Sequence, residues 1–370
     1  MSASEIGREE KSNDRYIACC IETNYTIISC IKQHKKRETD KDGLGLKEAQ
    51  GGGRESMMQK TEFYFPSSDG IHDIHAIVWK PEGEVRALVQ ISHGMTEYAG
   101  RYEEVAEYLT ARGLLVFGND HLGHGQSVLD EAEWGFFASG DAGAKVVQDL
   151  HTLSLRLRRE YRNVPCFLLG HSMGSFMARR YAMTYGTELD GAIFVGTGNQ
   201  PMWMVKLGMG IVGVLSILVG ERYKSGLVER LMFGSYNRRF RPVRTKLDWL
   251  SRNTENVDSY SRDRACTFLF TLNGYKTLLS TIAFIERRMN ILKIPAKLPI
   301  LLLSGEDDPV GNYGRAVRQV YMLYKQRGIE DLSIKLYPKD RHEVLNEVDR
   351  REVYAYLYQW LEKRIQEHIS

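Results

Sequence analysis

Three groups of residues in the chain could do chemistry together. They are a hydroxyl held between glycines, an acid cluster after an apolar run, and a late histidine. The first is Gly170-His171-Ser172-Met173-Gly174, which follows the apolar run Cys166-Phe167-Leu168-Leu169 and opens a helical pattern over residues 175–185. Acyl transfer needs an exposed hydroxyl on a sharp strand-to-helix turn, and glycines beside it remove side chains that would clash there. Gly-x-Ser-x-Gly alone is a weak signal; the strand before and the helix after give it weight.

A nucleophilic serine needs a base and an orienting carboxylate, which on such a scaffold follow it in the order Asp, His. The apolar run 300–304 ends in Gly305-Glu306-Asp307-Asp308-Pro309. The next, 332–337, ends in Pro338-Lys339-Asp340-Arg341-His342-Glu343. Both groups follow strands at the end where open parallel sheets place their sites. His342 is the histidine with this placement after the last strand. Asp308 is the better placed acid, then Asp307, with Glu306 third, and spacing separates them poorly.

The oxyanion formed during acyl transfer needs preorganised N–H donors. The amide of Met173, at a helix start where free amides point outward, is one. The loop His93-Gly94-Met95-Thr96-Glu97, after the apolar run 87–92, places the Met95 amide to supply the other. The run Asn119-Asp120-His121-Leu122-Gly123-His124-Gly125-Gln126-Ser127 looks at first like a metal cluster. With one acid and no cysteine close by, it reads instead as a Gly-rich turn whose side chains satisfy backbone groups under the site.

The elements that must hold these residues alternate. Residues 62–65 and 74–79 suit an opening hairpin, and 87–92, 114–118, 166–170, 192–196, 299–304 and 332–337 suit buried strands. Amphipathic segments lie between them at 101–112, 143–161, 173–185, 313–327 and 350–367. Strands buried on both faces and alternating with helices predict a mostly parallel sheet covered by helices on both faces. About a hundred residues between the strands ending at Gly196 and starting at Pro299 exceed any crossover and predict an inserted helical cap. The boundaries read as an extension over 1–56, core over 57–197, cap over 198–290, and core again over 291–370. The extension is dense in charge, carries Gly51-Gly52-Gly53 near its end, and reads as a disordered tail or as sequence ahead of a second start at Met57-Met58.

The chain has 370 residues, with 50 Lys+Arg against 47 Asp+Glu. That balance argues against a nucleic-acid partner, and the composition against a collagen-like or multi-span protein. Five cysteines in no metal spacing are expected to be free thiols, which implies a cytoplasmic setting. No secretory leader is evident. Residues 207–219 are uncharged but short of the roughly 20 apolar residues of a spanning helix, so they read as a buried or interfacial helix. A basic patch follows: Arg238, Arg239, Arg241, Arg244 and Lys246.

Taken together, these motifs resemble an α/β-hydrolase of the monoacylglycerol lipase and lysophospholipase type, the serine aminopeptidase-like branch. The resemblance rests on residues 93–102, 120–127, 170–174, 305–308 and 341–343, and covers the chain from about Met57 onward. It implies Ser172 as nucleophile, His342 as base and Asp308, third after Gly305, as orienting acid. It implies the Met95 and Met173 amides as oxyanion donors, His93, Gly94 and His171 as residues at the substrate, and neither metal nor cofactor. Relatives often read His-Gly-x-Gly-Glu-His; here Thr96 stands for the second Gly and Tyr98 for the second His.

The function expected from this is hydrolysis of a carboxylic ester of a single-chain lipid through an acyl-enzyme on Ser172. The cap's apolar run could line an acyl tunnel or rest on a membrane, each buried methylene contributing about 0.8 kcal/mol. An aminopeptidase or amidase of the same fold is the alternative; it should offer an acidic anchor, and the cap is basic. A catalytically inactive binding protein is the third reading, and here all three triad residues are present.

Overall fold

A computed structural model describes residues 58–369. The extension expected over residues 1–56 lies outside them. Eight strands form one sheet in the order β1-β2-β4-β3-β5-β6-β7-β8. They are β1 (Met58–Pro66), β2 (Asp73–Pro81), β3 (Ala87–Ser92), β4 (Leu114–Asn119), β5 (Cys166–His171), β6 (Gly191–Val195), β7 (Ile300–Gly305) and β8 (Leu332–Tyr337). β1 and β2 pair antiparallel, as do β2 and β4, and every later pairing is parallel.

The inner strands are buried along their whole length because each face has its own apolar layer. In β5, Cys166 and Leu168 join the layer under α2 (Ala142–Glu160) and α3 (Met173–Tyr185), whereas Phe167 and Leu169 join the opposite one. That opposite layer is closed by α1 (Glu103–Thr110) and the C-terminal helix Arg350–Ile369. The period of two along the strand thus feeds two cores at once. Strand order reverses direction between β3 and β5. The loops leaving their carboxyl ends, paired at Ser92 and Gly170, open side by side into the crevice where such sheets bind ligands.

The interval between β6 and β7 carries α4 (Met202–Val219), α5 (Gly226–Phe233), α6 (Thr254–Arg262), α7 (Leu272–Ile285) and the short α8 (Arg288–Ile291). α7 lies in the stretch expected to be cap, yet it packs on α2 and α3 and is buried over most of its length. α4 departs from expectation in two ways. It begins at Met202, ahead of the uncharged run, with the exposed Lys206 inside it, and ends at Val219. It is long and apolar enough to cross a membrane by length and composition, but 11% of it is buried. Val205 and Val212 face inward, while Trp203, Leu207, Val214, Ile217 and Leu218 are exposed.

Between β7 and β8 runs α9 (Arg315–Arg327), and α10 is the C-terminal helix Arg350–Ile369 named above.

Candidate active site

Ser172 stands alone between β5 and α3 with φ +53° and ψ −121°, a strained conformation for a side-chain-bearing residue. The flanking glycines make the turn possible. A Cβ on Gly170 would collide with the Gly174 carbonyl, and one on Gly174 with the Ser92 carbonyl at the end of β3. Gly174→Ala is therefore expected to cost about 3 kcal/mol or more, read as a loss of soluble, cooperatively unfolding protein. The Ser172 amide donates to the Val195 carbonyl (2.9 Å), which ties the turn to β6. Among the described residues the Ser172 hydroxyl has no hydrogen-bond partner, and the residue is half-buried.

His342 lies at the other side of the same β6 end. Gly196, next after Val195, has φ +58°, and a Cβ there would come within 3.1 Å of the His342 ring. The ring Nδ1 is 3.0 Å from each carboxylate oxygen of Asp308. Asp308 is itself fully buried and accepts from the Val310 amide (2.8 Å) and the Ser304 hydroxyl (3.2 Å). With Nδ1–H directed at a carboxylate, Nε2 is left as an acceptor. Asp307 stays half-buried, with no hydrogen bond from its carboxylate to His342, and Glu306 is exposed. The structure thus brings one of the three acids to the imidazole.

The amides of Met95 and Met173 donate to no acceptor among the described residues. Thr96 has φ +51°, which explains a preference for glycine there: a β-branched residue is strained in that region. The cap compensates. The Tyr260 hydroxyl donates to the Thr96 carbonyl (2.7 Å), and the Thr96 hydroxyl donates to the Met95 carbonyl (2.8 Å).

The three residues expected at the substrate are buried and hydrogen-bonded within the protein beside the turn. His93 is fully buried; its Nδ1–H donates to the Gly94 carbonyl (2.8 Å) and its Nε2 accepts the His121 amide (2.8 Å). No nitrogen of that ring remains for a ligand. Gly94 lies against Ser172, where a Cβ would come within 3.2 Å of the serine Cβ, but its amide is taken by Glu97. His171 places Nδ1 3.1 Å from Glu97 Oε1 and Nε2 3.3 Å from the His342 carbonyl. It faces an acceptor at both nitrogens, which favours its protonated form. Burial works against that charge, but the bond to Glu97 and its carboxylate prevail and raise the His171 pKa. Burial likewise favours a neutral Glu97, yet the His171 bond and the Arg101 charge hold it well below the usual carboxylate range.

Arg101 continues this network to Glu343, donating to both of its oxygens at 2.9 Å, and Asn256 from the cap joins at 2.7 Å. Sequence reasoning passed over Glu97, Arg101 and Glu343. The i,i+4 spacing of Glu97 and Arg101 was the one local signal for them. It also passed over Trp249, whose ring lies 5.1 Å from that of His342. The Asn119–Ser127 run does support backbone: Asp120 accepts from the amides of Ala99 and Gln126 (2.9 and 2.8 Å).

A sheet of this order, delivering a strained serine at its switch point, is that of the α/β-hydrolases. Within them the chain belongs to the family described as Serine aminopeptidase, S33, which matches residues 83–349. It is 30% identical over 270 residues to the monoglyceride lipase of Mus musculus, covering 71% of this chain and 78% of that one. Among solved structures it resembles a thermostable carboxyl esterase from Bacillus coagulans, in complex with glycerol, with a TM-score of 0.78 and 28% identity. That match covers 83% of this chain and 99% of the other. A soluble variant of Saccharomyces cerevisiae monoglyceride lipase shares the fold, with a TM-score of 0.65 and 18% identity over 85% of this chain and 99% of that one.

Proposed function

We propose that the chain is a serine hydrolase that cleaves carboxylic esters of single-chain lipids, a monoacylglycerol or lysophospholipid, through an acyl-enzyme on Ser172. The observation that carries this reading is the strained Ser172, with its free hydroxyl, set across the end of β6 from the buried Asp308–His342 pair. Its likeness to monoglyceride lipases and an esterase supports the ester.

In this reading His342 takes the Ser172 proton at Nε2 as the hydroxyl oxygen attacks the ester carbonyl. The Met95 and Met173 amides donate to the tetrahedral oxyanion. The alcohol leaves with the proton held by His342. Water, deprotonated by the same imidazole, then releases the fatty acid and restores the serine. Asp308 keeps Nδ1–H in place and stabilises the imidazolium formed on the way.

An aminopeptidase would need a carboxylate free to receive the substrate ammonium. Glu97 and Glu343, the acids behind the turn, are already engaged by His171 and Arg101, which favours the ester. The deciding experiment compares p-nitrophenyl esters of rising chain length, monoacylglycerols and lysophospholipids with aminoacyl-nitroanilides. Ester cleavage that rises with acyl length is expected; anilide cleavage without esterase activity would overturn the proposal.

The outward apolar face of α4 is read as the surface that rests on lipid, with exposed Lys206 within the helix and Arg222 just after its end. Replacing Trp203, Ile217 and Leu218 together with serine is expected to lower co-sedimentation with phospholipid vesicles, while hydrolysis of a short soluble ester is retained. Unchanged vesicle binding would remove α4 from that role.

A further inference from the structure

Behind the His342 loop, Asp340, Glu347 and Asp349 bring carboxylate oxygens within 4.8 Å of one another. Asp340 and Glu347 are fully buried, where like charges repel strongly unless a cation lies between them. The cation comes from the cap. Arg252 Nη2 donates to Asp340 Oδ1 and to both oxygens of Asp349 (3.1 and 3.0 Å), and its Nε lies 3.5 Å from Glu347 Oε2. The Arg252 amide donates to Glu347 Oε1 (2.9 Å), the same oxygen that accepts the Arg341 amide (3.0 Å).

Asp340 stands two residues before His342, and its carbonyl accepts the amide of Asp307, neighbour of Asp308, at 2.9 Å. One guanidinium therefore bears on the loops of both the imidazole and the acid. Its neutralisation is incomplete: Asp340 Oδ2 is buried with no hydrogen-bond partner.

Resting on the serine-hydrolase reading above, we propose that Arg252 is a positioning residue for His342. By neutralising three clustered carboxylates it keeps the base loop in register, and that hold is proton-linked through Asp340. Asp340 is faced by Arg252 from the cap, Glu347 and Asp349 from the turn that follows, and Tyr337 from the end of β8. Arg341, beside it, also senses Asp248, Asp307 and Glu347.

Burial, then the charges of Glu347 and Asp349, push the Asp340 carboxyl up to about 7 against the pull of Arg252. A carboxyl raised in the folded state contributes stability while protonated. That contribution fades as pH rises from the unfolded value of 3.8 through about 7. Without the guanidinium, damage should be greatest where all three acids are ionised.

The test is Arg252→Met assayed on an ester from about pH 6 to 9. At about pH 8, kcat should fall about tenfold or more with KM within about threefold, and the ratio of variant to parent kcat should climb toward one as pH falls. Asp340→Asn added to Arg252→Met should recover most of the loss, and Arg252→Lys should retain most activity. A deficit flat in pH and unrelieved by Asp340→Asn would mean lost packing alone and overturns the proposal.

Should Arg252→Met fail to fold, Asp340→Asn in the otherwise native chain decides. Its thermal midpoint should rise relative to the parent as pH goes from about 5 to 8, with kcat within about threefold. A difference that does not grow with pH overturns the proposal. A parent chain that hydrolyses no ester sinks the functional reading instead, and the melting comparison still decides the proton linkage.

Discussion

Ser172→Ala is expected to reduce kcat/KM for the best ester by about 10⁴-fold or more and to abolish labelling by a fluorophosphonate probe. The effect is large because, in the proposed mechanism, the hydroxyl oxygen forms the acyl bond, and alanine has nothing to replace it. Folding should survive: the turn is held by the Ser172 amide on Val195 and by the Ser172 carbonyl, which accepts the Ser175 hydroxyl (2.6 Å), and alanine keeps both. His342→Ala should be comparably severe, and the double variant little worse than either, since base and nucleophile act as a unit. A Ser172→Ala protein that keeps more than about a tenth of the activity would assign the chemistry elsewhere.

The second large effect is expected from Asp308→Asn, on the order of 10⁴ in kcat. Asparagine fits the space but can present its NH₂ to the imidazole. The ring would then turn to the tautomer with Nδ1 bare and Nε2 protonated, and it could no longer accept the serine proton. Asp307→Asn should cost less than about fivefold, because that carboxylate is half-buried and makes no bond to His342. The contrast between neighbours is the informative quantity. Thermal midpoints of both variants, measured alongside, show whether loss of the Val310 and Ser304 contacts adds a folding defect to Asp308→Asn. The opposite ranking of the two would move the orienting role to Asp307.

Most of the sheet could be read from the residues, since strands buried on both faces are continuous apolar runs and each ends in turn-forming residues. β7 and β8 came with their chemistry attached, as Gly305-Glu306-Asp307-Asp308 and Arg341-His342. Spacing could not choose among those acids; contact does, because the backbone after Gly305 turns Asp308 inward onto Val310 and Ser304 and leaves Glu306 in water. His93, Gly94 and His171 were legible as motif residues, while the hydrogen bonds that bury them were not. A motif residue that braces a loop carries the same local pattern as one that meets a ligand, so spacing does not separate the two. α4 extends past the uncharged run because Lys206, on an exposed face, interrupts the apolar pattern without ending the helix. The pairing of Trp249 with His342, and of Arg252 with Asp340, joins residues far apart along the chain and leaves no local trace.

The segment from Asp248 to Asn256 is bonded to the base loop along its length. The Glu343 amide donates to the Leu250 carbonyl (2.7 Å), the Arg341 guanidinium to the Asp248 and Ser251 carbonyls, and the Asn253 side chain to the Asn346 carbonyl (3.1 Å). Anyone recombining insertions among relatives therefore inherits an unequal pair of junctions. Exchanging residues 202–245 replaces the exposed apolar helix α4 and leaves those bonds whole. A splice that runs on through Asn256 also replaces the scaffold of the imidazole, so such chimeras should lose turnover before they lose the capacity to bind.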